Sequence, residues 1–331
     1  MNFEPAVYEH AAKLIGKTAW EVSRDEDLLA RAHAAAHALY GHRVVVVGID
    51  IYNLEAEAYG GAVARPEGDA IPAIAKHPAQ DAAGILALPS FDPAAAAAGR
   101  IPAFLRAAAR LRGLLPGADI RIPVSGPFSL ASNLIGLENL LCDCMTDPAL
   151  VSEALQKLAD DQLRFCRAIS AAGAGIALFE SAASPPLVPP ALFRELVLPA
   201  LSRLTASTGA SCIIGGDTLP IIEDIIAAGA RYVICPGPAE TDQSAFMRAL
   251  ARHPQITVRV NMNPAVFCNA DPAPALAEAR RAAAIAAERE RQCGRARVCV
   301  GSGVLPYEAV PETVLRVKDL LNVLAYPHGY V

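Results

Sequence analysis

Aromatic residues are scarce in this sequence, 5% of 331 residues with a single Trp, and basic residues nowhere form a cluster. With a formal net charge of −5, that dispersion excludes nucleic acid as the main partner. No stretch reaches the ~18 unbroken apolar residues that a membrane span needs. The start, Met1-Asn2-Phe3-Glu4-Pro5, has neither the basic lead nor the apolar core of a signal peptide. Also missing are a Gly-x-Gly-x-x-Gly after a strand, a P-loop, a Cys-x-x-Cys pair and a Gly-x-Ser-x-Gly elbow, so none of the common nucleotide, redox or hydrolase signatures applies. Cys142, Cys144, Cys166, Cys212, Cys235, Cys268, Cys293 and Cys299 are scattered through apolar surroundings. They read as reduced thiols of a cytoplasmic protein, and Cys142-x-Cys144 at a helix end is a weak metal signal.

What is present is apolar and helix-forming. Hydrophobic residues make up 53% of the chain, with Ala-rich stretches at 94–98 and 282–287, so a large core is easily supplied. The organising stretch is 210–218. Ser211-Cys212-Ile213-Ile214 suits a short buried parallel strand. It runs into the turn Gly215-Gly216-Asp217-Thr218, and Ile221, Ile222, Ile225 and Ile226 then mark a helix with Pro220 in its first turn.

The same grammar repeats along the chain. Strands are expected at 5–12, 43–50, 120–124, 175–179, 211–214, 232–235, 257–260 and 297–300. Helices are expected at 28–40, 102–115, 130–141, 148–172, 191–205 and 219–228, in the Ala-rich stretch before 297, and at 311–326. Residues 60–72 read as a surface excursion. Eight strands alternating with helices, and no linker-like shift in composition, predict an α/β fold: a (β/α)8 TIM barrel in a single domain over residues 1–331, with an N-terminal helical extension.

In such a barrel the C-terminal strand ends converge on one mouth. They would bring together His10, Asp50, Glu55, Glu57, Phe128, Glu180, Asp217, Asn261, Asn263, Ser302 and Tyr307. The set is rich in carboxylates and carboxamides and poor in Lys and Arg. It suits a neutral heterocycle or a proton relay, and a polyanion would need Arg forks. Structural alternatives stand beside these roles. Glu55 and Glu57 also fit a helix N-terminus, His10 a satisfied core histidine, and Asn261 and Asn263 turn formers.

A further group of motifs recurs in order: Asn53-Leu-Glu55-Ala-Glu57-Ala-Tyr-Gly60, Gly126-Pro-Phe128-Ser-Leu-Ala-Ser, Ala182-Ala-Ser184-Pro-Pro-Leu-Val-Pro189, Leu198-Pro199, Gly216-Asp217-Thr218 and Leu305-Pro306 followed by Pro311-Glu312-Thr313-Val314. Together they resemble the uroporphyrinogen decarboxylase superfamily, and in particular its methyltransferase branch, which includes methylcobamide:coenzyme M methyltransferases and relatives from methyl-halide and methanol metabolism. The resemblance implies a (β/α)8 barrel. Two departures limit what it carries over. The decarboxylases grip their substrate's carboxylates with an Arg-rich segment near the start, whereas residues 5–16 here offer Glu9, His10 and Lys13. The thiol-methylating members hold zinc with a His-x-Cys pair and a later Cys. The matching positions here are Ile213, Gly215 and Gly303, with Cys212 one residue off and on the opposite strand face.

The resemblance thus implies a zinc-independent methyltransferase of one-carbon metabolism, using tetrahydrofolate and/or cobalamin (a corrinoid). Its expected catalytic residues are Glu180, Glu57, His10 and Asp50, and its expected cofactor-binding residues Asp217, Asn261, Asn263, Phe128 and Tyr307, with no metal ligands. A small one-carbon donor or acceptor, a corrinoid protein and a second copy of the chain are the expected partners, with no nucleic acid or membrane. Two alternatives remain open at this point. One is a decarboxylase or lyase on a small or porphyrin-like substrate, and the other a non-catalytic accessory barrel of a methyltransferase system.

Overall fold

The structure, a computed structural model, describes residues 2–294 and 297–325. Ten strands run in the order β1 (Phe3–Ala6), β2 (Val44–Val46), β3 (Ala62–Ala64), β4 (Ala73–Lys76), β5 (Asp119–Ser125), β6 (Gly175–Phe179), β7 (Cys212–Ile213), β8 (Tyr232–Cys235), β9 (Thr257–Met262) and β10 (Val298–Val304). Eight of them form two parallel sheets, ordered β1-β10-β9-β8 and β2-β5-β6-β7, while β3 and β4 pair antiparallel as a separate ribbon. Helices connect the parallel strands, which gives the (β/α)8 barrel architecture.

The two sheets face each other across a lumen. Ala6 and Tyr8 from one side pack with Val46, Ile51, Ala177 and Phe179 from the other as one buried cluster. Among the described residues no ladder joins β1 to β2 or β7 to β8. Side chains close both seams instead. Glu4 accepts the backbone N–H groups of Arg43 (3.1 Å) and Val44 (3.4 Å), and Ser211 Oγ accepts that of Arg231 (3.0 Å). Because side chains alternate along a strand, Cys212 joins the outer core under the helices while Ile213 packs toward the lumen.

Local chemistry explains where the helices start and stop. Asp25 caps Glu26–Tyr40 by accepting two backbone N–H groups, and Asp147 caps Pro148–Ala171. Ala275, Ala279, Ala282, Ala283 and Ala286 are buried along Ala273–Cys293, and their small size lets that helix approach the strands beneath it closely. Pro199 sits inside a helix because the preceding turn, Phe193–Val197, is a π-helical widening in which Leu198 N–H reaches back to Phe193 O.

Several boundaries differ from the sequence expectations. The expected extended segment 5–12 is β1 followed by the helix Glu9–Lys13. The strand expected at 43–50 is regular only over Val44–Val46. The helix expected at 130–141 is two helices, Pro127–Ile135 and Leu137–Thr146, broken at Gly136, whose φ of +86° a side chain would resist. The last helix runs Pro311–Ala325, and its expected end at Tyr326 lies outside the described residues. No described helix is long and apolar enough to cross a membrane.

Candidate functional site

Above the C-terminal ends of the parallel strands, the lumen closes on an aromatic floor. Phe179, the last residue of β6, meets Tyr8 edge-on with ring centroids 6.2 Å apart and Tyr52 at 6.0 Å. Tyr52 is also fixed by a 3.0 Å hydrogen bond between its hydroxyl and Ser181 Oγ. Ile213 and Val304 complete this surface.

The loop after β7 supplies a polar edge. Gly216 has φ +70°, and a Cβ there would lie 2.9 Å from Ser184 Oγ, so both backbone shape and space require glycine. The turn aims half-buried Asp217, which accepts from the Thr241 hydroxyl (2.7 Å) and from Leu219 N–H (3.2 Å), tying the loops after β7 and β8 together. Asn263 belongs to the turn after β9, where its side chain accepts Ala265 N–H (3.0 Å).

Several of the residues singled out from sequence are held by contacts within the fold. Glu180 is fully buried beneath the N-terminus of Pro127–Ile135, where it accepts the backbone N–H groups of Phe128 (3.1 Å) and Ser129 (2.6 Å). Burial pushes its carboxyl up to about 7 against the pull of those donors. Glu55 is equally buried, accepts Ser125 N–H (2.6 Å) and Gln162 Nε2 (3.1 Å), and is likewise raised by burial to about 7. Asp50 is held by a two-pronged pair to Arg100, 2.7 Å on each prong, and the Arg100 Nε donates to Glu57, which Arg24 also engages. Asp50 and Glu57 are therefore the two ends of a buried ion-pair cluster.

His10 also turns away from the mouth. Its ring stacks on Tyr40, its Nδ1–H donates to the Tyr307 carbonyl (3.3 Å), and its Nε2 accepts the Tyr40 hydroxyl (2.6 Å). Burial lowers its pKa, which disfavours the charged form. Phe128 is fully buried core, and Ser302 faces the helix layer with its hydroxyl buried. Asn261 lies inside the barrel, where it accepts from Arg259 Nε (2.9 Å). Tyr307 donates to the Lys17 carbonyl (3.1 Å) at the rim.

Beside His10, its neighbour Glu9 was not singled out from sequence. Glu9 is 6% exposed, and its charge acts on Tyr8 and Tyr52, both part of the aromatic floor. Among the described residues its carboxyl accepts no N–H or O–H from another residue. Burial first, and then the charge of Glu308, raise it to about 7. A carboxyl held near neutrality in this way is a candidate for proton transfer. Its position at the start of the helix after β1 was the available signal, but His10 shares it.

Ile213, Gly215 and Gly303 cannot ligate a metal through their side chains, and among the described residues no group of three or more His, Cys, Asp or Glu is placed to hold one. The Cys212 thiol is buried in the outer core and pushed well above its usual range, first by burial and then by Glu180. A cleft of about 440 Å3 opens beside the mouth, lined by Asp50, Tyr52, Ile74, His77 and Asn133.

These features define an α/β barrel whose polar groups gather at the C-terminal ends of its strands. Residues 6–306 match the uroporphyrinogen decarboxylase (URO-D) family, and the chain belongs to that family. No curated protein sequence matches the chain. Its fold is similar to that of a methyltransferase from Methanosarcina mazei, with a TM-score of 0.80, 20% identity, and coverage of 98% of this chain and 93% of that one. It is also similar to a B12-independent methionine synthase from Shewanella sp. W3-18-1, solved in complex with selenomethionine, with a TM-score of 0.56, 11% identity, and coverage of 91% and 86%.

Proposed function

We propose that the chain is a one-carbon (methyl) transferase that works without a protein-held zinc ion, with tetrahydrofolate or a corrinoid as the methyl carrier. The family and the methyltransferases of like fold support transfer of a methyl group. The observation that carries the reading is the mouth, an aromatic floor beside Asp217, with the arginines Arg100 and Arg24 near it already committed. Arg100 and Arg24 are committed to Asp50 and Glu57, and Lys13 Nζ donates to the carbonyls of Glu308 (2.9 Å) and Ala309 (3.0 Å). A substrate bearing many carboxylates has no partner there.

A reduced pterin is a flat, neutral heterocycle with N–H groups along one edge. Tyr8, Tyr52 and Phe179 suit its face, and Asp217 suits its donors. When bound, such a carrier supplies or accepts the methyl group on a ring nitrogen, and a corrinoid does so on cobalt. Glu9, poised near pH 7, holds or releases the single proton that the exchange involves. A thiol acceptor fits less well, because a free thiol with pKa about 8.5 is only a few per cent ionised near neutrality, and among the described residues no group of three or more His, Cys, Asp or Glu is placed to hold a metal that would lower it.

Calorimetric titration tests this reading. Tetrahydrofolate should bind and coenzyme M should not, and protein dialysed before analysis should hold well under one zinc per chain. Asp217→Ala, and Asp217→Asn as the variant that keeps the loop contacts, should weaken folate binding by about 10- to 150-fold, the scale of one hydrogen bond to a charged partner. Binding of the thiol without binding of folate overturns the reading. Binding of neither favours a non-catalytic barrel.

A further inference from the structure

A second cavity lies inside the barrel at the end opposite the mouth. Its volume is about 560 Å3, and it opens between segments that lead into the strands, including Asn2, Arg43, Ser170 and Thr208. Arg259 on β9 projects into it. The Arg259 Nε donates to Asn261, and among the described residues no carboxylate lies within ion-pair distance of its guanidinium. Arg121 shares the cavity but is already held by Asp119 (2.6 Å). Glu4 spends its carboxylate on the backbone of Arg43 and Val44. Arg259 thus meets no carboxylate directly, and Glu4, committed to backbone N–H groups, acts on it only through space. That arrangement is costly unless an anion or water completes it.

The strands are cut back to make this space. A Cβ at Gly301 would lie 2.5 Å from Arg259 Cδ and 2.4 Å from the Glu4 carbonyl, and one at Gly175 would lie 3.1 Å from Arg121 Cγ. Any side chain at Gly301 would displace the arginine. Tyr8 and Tyr232 also line the cavity, and the charge of Arg259 acts on both. Neither hydroxyl has a hydrogen-bond partner among the described residues. A guanidinium fork with two free hydroxyls in a confined space is a receptor for one oxyanion. Ala6, Val46, Ala177, Ile213 and Phe179 give one part of the wall an apolar face, while Glu4, Asp119, Ser211 and Thr257 keep other parts polar.

We propose that this cavity binds a small amphiphilic monocarboxylate, with its carboxylate on Arg259 near the Tyr8 and Tyr232 hydroxyls and its apolar body against Ala6, Val46, Ala177 and Ile213. The volume falls within the roughly 300–1,000 Å3 of ordinary ligand sites and far exceeds what a bare anion fills. The ligand would touch the underside of Tyr8 and Phe179, whose rings form the floor of the mouth above. The inference stands on the lumen alone and does not depend on the methyl-transfer reading.

The test is calorimetry on the full chain with hexanoate, hexanol and inorganic phosphate as probes. Hexanoate should bind at least about tenfold more tightly than hexanol, the scale of one charge-assisted hydrogen bond, and more tightly than phosphate. Arg259→Gln should weaken hexanoate by at least about tenfold. Ala177→Leu, which fills the lumen and leaves the arginine in place, should abolish binding while the protein still melts cooperatively. If Arg259→Gln does not fold, Ala177→Leu and the comparison of probes decide the matter. The proposal is overturned if hexanol or phosphate binds as well as hexanoate, if no probe binds, or if hexanoate binding survives either variant unchanged.

Discussion

Glu180 offers the sharpest physical test, because its setting fixes both a sign and a size. Its carboxyl is fully buried and raised from 4.5 to about 7, chiefly by desolvation. The folded state therefore holds this proton more tightly than the unfolded chain. Stability from this group is fully present below about pH 4.5 and is lost as pH rises through 7. At about 1.4 kcal/mol per pKa unit the loss is about 3.5 kcal/mol, an upper bound because Glu55 shares the raised field. Gln has the acid's shape and never ionises, but its single oxygen can accept only one of the Phe128 and Ser129 N–H groups. Urea denaturation should therefore find Glu180→Gln less stable than wild type by about 1–3 kcal/mol near pH 5, with the difference moving in favour of Gln by roughly 1–3 kcal/mol near pH 8. Glu180→Ala should lose stability at both pH values, by about 2–5 kcal/mol, because Phe128 and Ser129 N–H are left without an acceptor. A stability difference between Gln and wild type that stays the same or moves against Gln from pH 5 to pH 8 would refute the reasoning, since it would mean that the folded state does not favour the protonated acid.

Two further outcomes follow from the site. Arg100→Met should destabilise the protein by about 3–5 kcal/mol in the same denaturation assay, because Asp50 and Glu57 lose the guanidinium that neutralises them, and a change under 1 kcal/mol would show that the cluster is not a buried unit. Glu9→Gln should cut turnover by roughly 10²–10⁴-fold with the fold intact, whereas Glu180→Gln should leave turnover nearly unchanged, and the reverse pattern would return the proton-transfer role to Glu180.

The strands that sequence locates to the residue are Gly175–Phe179 and Tyr232–Cys235. Each is a short apolar run bounded by residues that end a strand, and burial on both faces leaves no competing pattern. The ribbon β3–β4 was hidden because Ala62, Ala64 and Ala73 are exposed and carry no apolar alternation. The site was legible as a set of residue types at strand ends, and much less so as a geometry. Nothing near Asp50 or Glu57 in sequence announces Arg100, whose guanidinium closes on both from the end of a separate connection. The exchange of His10 for Glu9 has a simpler cause. Neighbouring residues on a helix point about 100° apart, so a helix placed without its phase cannot say which of the two acts on Tyr8 and Tyr52.

Methyl transfer itself is the most direct measurement. Purified protein incubated with methylcobalamin and tetrahydrofolate should form methyltetrahydrofolate catalytically, with the rate lost in Glu9→Gln and unaffected by a zinc chelator. Absence of methylated folate, together with methylation of coenzyme M that the chelator abolishes, would contradict the account at its centre.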